Sequence, residues 1–202
     1  MDPAERALYD ELRRRGIAER VVNAMAAVPR ALFAPRAYGA RAYANEPLPL
    51  PEGQTISQPY VVARMCELLE PTSRDRVLDV GTGSGWHAAV LSRLSRRVWS
   101  IERFASLSRL AERNLAAAGV TNVTLVVGDG TLGYPDAAPY DAINVAAGAD
   151  DRVPPALEEQ LADGGRLVAP VGDRLVLVRR TGDVLERRRH EGVRFVPLVG
   201  EG

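Results

Sequence analysis

The chain has 202 residues, 46% of them hydrophobic, enough for one well-packed α/β core and too few for two ordinary domains. Its 26 basic residues, all arginine, balance 26 acidic ones, so no global field draws it to nucleic acid or to an anionic membrane, and lysine catalysis is excluded. A single cysteine, Cys66, excludes an intramolecular disulfide and argues against a metal site, the N-terminus is charged, and no ~20-residue apolar span occurs. The sequence thus predicts a cytoplasmic, metal-free and unanchored chain; its oligomeric state is left open, with a monomer favoured.

Asp2-Pro3 marks the start of a helix that runs to Gly16, and a second helix covers Glu19 to Val28. From Arg30 to Gly53, scattered prolines and glycines among Phe33, Tyr38 and Tyr43 predict an irregular segment anchored on something else. A helix over Val61 to Leu69 follows. Strands are then expected at Arg76–Val80, Val98–Ile101, Val123–Val127, Tyr140–Ala146 and Arg166–Pro170, separated by helices at Ser84–Leu94, Ala105–Ala118 and Pro154–Leu161. That alternation predicts parallel βαβ crossovers and a doubly wound sheet. The segments Arg174–Arg180, Val184–His190 and Val193–Val199 leave no room for helices and are expected as antiparallel strands at one edge. One domain over 1–202 is expected, with an N-terminal substrate-side segment (1–58), a cofactor core (59–170) and C-terminal strands (171–202).

Residues 77–86, Val-Leu-Asp-Val-Gly-Thr-Gly-Ser-Gly-Trp, place Gly81, Gly83 and Gly85 at alternate positions between a buried strand and a helix. Glycines there allow a tight turn and close backbone approach to a ligand. Gly83, Gly85 and Ala88 could match a dinucleotide fingerprint, but that reading leaves the carboxylate of Asp79 beside a pyrophosphate. A cationic ligand without phosphate, S-adenosylmethionine, fits Asp79 better. Glu102, after the second strand, is placed to accept from ribose hydroxyls, and Asp129, in Gly128-Asp129-Gly130 after the third, from an adenine amino group. A plainer reading makes the glycines only turns and the acids only caps. The candidate cofactor set is Asp79, Gly81, Thr82, Gly83, Ser84, Gly85, Glu102, Arg103, Gly128, Asp129 and Gly130.

Beyond residue 28 the chain resembles the protein-L-isoaspartate O-methyltransferase family. The resemblance rests on Val28-Pro-Arg30 and Phe33, Gly53-Gln-Thr-Ile-Ser-Gln-Pro-Tyr60, Leu78-Asp-Val-Gly-Thr-Gly-Ser-Gly85, Gly128-Asp-Gly130, Ala138-Pro-Tyr-Asp141, Gly164-Gly-Arg-Leu167, Pro170-Val-Gly172 and Val193-Arg-Phe-Val-Pro-Leu198. The 53–60 segment is the most specific of these, since a generic methyltransferase does not require it. The resemblance implies a Rossmann-like class I methyltransferase fold and methyl transfer from S-adenosylmethionine to the free carboxylate of L-isoaspartyl residues in damaged proteins or peptides. It also implies Ser57 as the active-site serine, with Thr55 and Ile56 beside it against substrate. Helix capping is the competing role for Thr55 and Ser57.

Trp86-His87 stands where the family often has Tyr-Gln, so His87 is either a cofactor contact or a surface residue; Cys66 reads as core. The loop 146–153 differs from the family's shorter one, and 171–178 lacks its Gly-rich, Gln-containing insertion. Those departures keep open a relative that methylates a genuine aspartate in one ribosomal peptide. A noncatalytic cofactor-binding module and an NAD-dependent oxidoreductase compete from further away, and the oxidoreductase lacks a plausible hydride site.

Overall fold

The computed structural model describes residues 2–200. α1 (Pro3–Arg14) starts where the Asp2 carboxylate accepts from the Ala4 amide at 2.7 Å and Pro3 occupies a position with no N–H to satisfy. α2 (Glu19–Ala26) stops two residues earlier than expected, because Pro29 disfavours helical backbone in the residue before it. Residues 30–53 are irregular, as expected, and the irregular stretch extends over 27–58. They contain 3₁₀ turns at Arg30–Leu32 and Arg36–Tyr43 and a minimal antiparallel pair, β1 (Leu48–Pro49) with β2 (Thr55–Ile56). The segment is pinned by apolar burial of Phe33, Tyr43, Leu48 and Ile56.

α3 (Pro59–Leu69) then opens on a proline and ends at Glu70, in left-handed conformation. The core follows as β3 (Arg76–Val80), α4 (Trp86–Leu94), β4 (Arg97–Glu102), α5 (Ala105–Ala117), β5 (Val123–Val127), β6 (Tyr140–Val145), α6 (Pro155–Glu159), β7 (Leu161–Val171), β8 (Arg174–Thr181) and β9 (Val184–Gly192). The seven strands lie in the order β5-β4-β3-β6-β7-β8-β9, parallel as far as β7 and antiparallel thereafter. Alternation along each strand feeds two apolar layers. Val77, Val98, Ala142, Val168 and Leu177 face the layer that includes α1 to α4, while Leu78, Ile101, Ile143, Leu167 and Val178 face the one closed by Leu157 of α6. The winding reverses between β3 and β6, with β4 and β5 to one side and β6 and β7 to the other. The crevice at the carboxyl ends of the strands at such a switch point is where a doubly wound sheet binds its ligand.

Two expectations fail near the C-terminus. β7 begins at Leu161, not at Arg166, and α6 is correspondingly short. A register shift after Tyr140 absorbs the extra residues, and Gly165 permits it, since a Cβ there would lie 2.7 Å from the Ala162 carbonyl oxygen. Residues 193–199 do not form a strand of the sheet. They run along the loop after β6: the Gly148 amide donates to Val196 at 2.7 Å and Leu198 donates back to Gly148 at 2.8 Å. The backbone groups of 193–199 thus meet the 146–149 loop over the strand ends, where they border the crevice.

Candidate active site

The loop after β3 is shaped by glycine. Gly81, Gly83 and Gly85 have φ of 93°, 55° and 91°, a region L side chains rarely enter. Their roles differ. Gly81 and Gly83 line the crevice, whereas a Cβ on Gly85 would come within 3.2 Å of Ala111, so Gly85 serves the close contact of α4 with α5. Glu102, at the end of β4, ties the loop: one carboxylate oxygen accepts from the Gly83 amide at 2.9 Å, the other from the Phe104 amide at 3.0 Å.

These elements bound a cleft of about 610 Å³ including its open mouth. Of the predicted cofactor residues, Gly81, Gly83, Glu102, Arg103 and Gly130 line it. Thr82 and Ser84 line a smaller cavity of about 320 Å³ between the loop and Ser57, with Thr55, Ile56 and His87. Gly128 and Asp129 do not line the cleft, and the Asp129 carboxylate caps the following turn by accepting from the Thr131 amide and hydroxyl at 2.8 and 2.7 Å. Sequence reasoning missed Gln54, Phe104, Ala146, Ala147, Leu198 and Val199 as wall residues. The resemblance segments contain Gln54 and Leu198, but their motifs do not say which side chains face a cavity.

Asp79 requires the largest correction. It is completely buried and sits beneath the loop, not in the cleft wall. The Ser100 hydroxyl donates to one of its oxygens and the Asn144 amide to the other, both at 2.7 Å, and Thr82 reaches Ser100 at 2.6 Å. Burial pushes its carboxyl up to about 6, against those two donors, with Glu102 adding to the rise. The chain of contacts continues from Asn144 to Nδ1 of His87 at 3.2 Å, and from Nε2 of His87 to Sγ of Cys66 at 3.7 Å. His87 is therefore not a surface residue. Burial drives it down to about 3, so it is neutral, and burial also raises the Cys66 thiol well above its ordinary value. A cysteine, histidine and amide in sequence suggest nucleophilic catalysis, but a fully buried, protonated thiol beside a histidine this hard to protonate provides no nucleophile.

The opposite wall is carried by residues 54–57. Ser57 lines the small cavity and also a larger one of about 1030 Å³ with its mouth, together with Pro47, Gln58, Asp173, Arg194 and Phe195. Capping does not explain the serine, because Gln58 occupies the N-cap of α3 and makes no side-chain cap bond. Among the described residues the Ser57 hydroxyl makes no hydrogen bond within the chain. Its backbone, by contrast, is held. Arg30, buried completely, donates to the carbonyls of Ala42 (2.7 Å), Ala44 (3.1 Å), Glu46 (3.0 Å) and Ser57 (3.1 Å) and lies 5.1 Å over the ring of Trp86. Trp86 in turn donates to the Val28 carbonyl. Burial lowers the guanidinium to about 10, still protonated at neutral pH.

The family model for protein-L-isoaspartate(D-aspartate) O-methyltransferase matches residues 3–202. Protein-L-isoaspartate O-methyltransferase of Halorhodospira halophila is 57% identical over 198 residues, covering 95% of this chain and 90% of that one. The Methanoregula boonei protein of the same name is 51% identical over 205 residues, covering 99% and 94%. A solved protein-L-isoaspartate O-methyltransferase superposes with a TM-score of 0.86 at 30% identity, covering 97% of this chain and 66% of that chain. A Plasmodium falciparum structure described as a beta-aspartate methyltransferase, in complex with S-adenosyl-L-homocysteine, gives 0.82 at 25% identity, covering 98% and 99%. This chain belongs to the protein-L-isoaspartate O-methyltransferase family.

Proposed function

We propose that this chain transfers a methyl group from S-adenosylmethionine to the free carboxylate of L-isoaspartyl residues in damaged proteins or peptides. The observation that carries the reading is Ser57: a hydroxyl with no hydrogen-bond partner among the described residues, on a wall shared by the glycine-loop cavity and the larger one beyond it. The cleft suits a cationic ligand without phosphate. Its wall offers the Glu102 carboxylate and glycine backbone with the Asp79 carboxylate behind, while the one arginine on it, Arg103, lies over Phe104. When bound, the cofactor supplies an electrophilic sulfonium methyl group. Glu102, Gly81, Gly83 and Gly130 are assigned to hold it, with Thr55 and Ile56 flanking the acceptor. Asp129 remains a candidate adenine acceptor and Arg103 a rim contact.

The acceptor carboxylate is already ionised at neutral pH, so no base is required, and neutral His87 need not act as one. The residues have to bring oxygen and methyl carbon into line, a task worth up to ~7–11 kcal/mol in favourable systems. Ser57 contributes by donating to the carboxylate without neutralising it. The resulting methyl ester cyclises to a succinimide when the neighbouring backbone nitrogen attacks its carbonyl and methanol leaves with the nitrogen's proton, and hydrolysis returns some normal aspartate. In this division of labour residues 1–58 form the substrate side, 59–170 the cofactor core and 171–202 the far rim. The enzyme acts as a monomer in the cytoplasm, on peptide and not on nucleic acid; among the described residues no helix is long and apolar enough to cross a membrane. The test is methyl transfer to matched peptides differing only in isoaspartate or aspartate. Transfer to the isoaspartyl peptide alone is expected, and preferential methylation of the aspartyl peptide would overturn the assignment in favour of a peptide-tailoring role.

A further inference from the structure

We propose that Asn144 and His87 are positioning residues that hold the Asp79 carboxylate and, through Ser100 and Thr82, the glycine loop, so that they set cofactor affinity from beneath without touching the cofactor. The proposal rests on the methyl-donor reading of the cleft and is independent of the peptide acceptor.

Three observations support it. First, the contacts are continuous: His87 to Asn144 (3.2 Å), Asn144 to Asp79 (2.7 Å), Asp79 to Ser100 (2.7 Å) and Ser100 to Thr82 (2.6 Å), with Thr82 and His87 both lining the cavity that Ser57 also lines. Second, Asn144 has a single workable orientation. Turning its amide over would set an oxygen 2.7 Å from a carboxylate oxygen, so the nitrogen must face Asp79, and its other hydrogen then points to Nδ1 of His87. His87 accordingly carries its own proton on Nε2, towards Cys66. Third, this orientation leaves Oδ1 of Asn144 buried with no partner. A side chain present only to fill space would not strand a buried acceptor; the oxygen is left over because both N–H groups are engaged.

The groups facing Asp79 are Ser100 and Glu102 on β4, Asn144 on β6, and, one contact further, His87 on α4 and Cys66 on α3. The Glu102 carboxylate among them opposes ionisation of Asp79. The donors from Ser100 and Asn144 favour the ionised form. An ionised Asp79 under the loop attracts a cationic ligand, so affinity should fall as pH drops through its titration.

The experiment is calorimetric titration of the full chain with S-adenosylmethionine, which carries the sulfonium charge, from pH 5 to 9, beside thermal melting at each pH. Wild type is expected to lose affinity below about pH 6. Asn144→Leu should move that midpoint up by about one unit, raising Kd about twofold at pH 7 and up to ~10-fold at pH 5, with recovery at pH 9. His87→Phe should shift it the same way by less, and His87→Gln, whose side-chain oxygen can accept the same N–H, should restore it. If Asn144→Leu does not fold, the His87 pair decides. A lowered melting temperature with an unmoved midpoint would make the two residues packing groups only and overturn the proposal. No binding of S-adenosylmethionine by wild type at any pH would overturn the methyl-donor reading and this inference with it, whatever the peptide assay gives.

Discussion

The two walls of the cleft are held by opposite means. On the cofactor side, β3, β4 and β6 satisfy their own backbone groups in parallel ladders, and the loop between them is fixed by its glycines, by Glu102 and by the Asp79–Ser100–Thr82 contacts beneath it. On the substrate side, residues 30–57 have almost no ladder, and four of their carbonyls converge on one buried guanidinium. A regular element carries its hydrogen bonds with it and asks only for apolar burial. An irregular one must import a donor with several directed N–H groups, which arginine supplies and lysine does not.

Three changes separate these two modes, ranked by their effect on stability. Arg30→Leu removes the guanidinium from four buried or part-buried carbonyls, of which that of Ala44 keeps the Glu46 amide as a donor. Hydrogen bonds to a charged group are worth ~1.5–3 kcal/mol each, but the guanidinium is itself costly to bury, so a net loss of about 3–5 kcal/mol is expected by chemical denaturation. Amide exchange should accelerate over 30–58 before β3 to β6. A variant within ~1 kcal/mol of wild type would show that Phe33, Tyr43 and Leu48 hold the segment unaided. Next, Gly130→Ala tests the cofactor wall, where the new Cβ would lie 2.6 Å from a Val80 methyl carbon. Overpacking of ~1–3 kcal/mol is expected, relieved when Val80→Ala is added; no relief in the double variant would refute the clash. Third, Asp79→Asn should stabilise the ligand-free protein. Burial raises this carboxyl from 3.8 to about 6 in the fold, so the folded state binds the proton more tightly than the unfolded chain. The Asp79 contribution to stability should therefore be greatest below pH ~4 and decline as pH rises through about 6, and the asparagine should remove that contribution to the pH slope and gain on the order of 2 kcal/mol at pH 7. An unchanged pH slope would contradict the assignment of the titration to Asp79.

The same contrast explains how much the sequence discloses. β3 to β7 and their helices are legible because period-2 and period-3.6 patterns follow from burial alone, and the glycine loop because positive φ admits few residues. Glu102 and Gly130 fall at the crevice as expected, since a residue at a parallel strand's carboxyl end has little choice of place. Asp79 is misplaced for the reverse reason: alternation puts it on one face of β3, but only the partners Ser100 and Asn144, 21 and 65 residues away, decide that it is enclosed. The same holds for His87, whose burial depends on α3 and β6. The role of Arg30 has no local signature at all, because its acceptors are carbonyls, which every residue has. Residues 193–199 read as a strand because alternation does not reveal whether the neighbour is a sheet or a loop.

The smallest expected change in stability belongs to Ser57→Ala, and that smallness is informative. With Gln58 at the N-cap of α3 and no bond from the hydroxyl among the described residues, removal should cost less than ~0.5 kcal/mol, below the ~1 kcal/mol of a lost cap. The backbone of Ser57 stays fixed, since Arg30 grips its carbonyl and not its side chain. If the hydroxyl donates to an isoaspartyl carboxylate, its loss removes a hydrogen bond to a charged group, ~1.5–3 kcal/mol, and turnover should fall by roughly 10- to 100-fold. Affinity for S-adenosyl-L-homocysteine should stay within about twofold, because the missing bond was to the other ligand. Steady-state kinetics on an isoaspartyl peptide, calorimetry and melting on one preparation of the variant read all three quantities. Wild-type turnover would strip Ser57 of its catalytic role, while a lost cofactor affinity at full stability would move the hydroxyl to the opposite wall of the cleft.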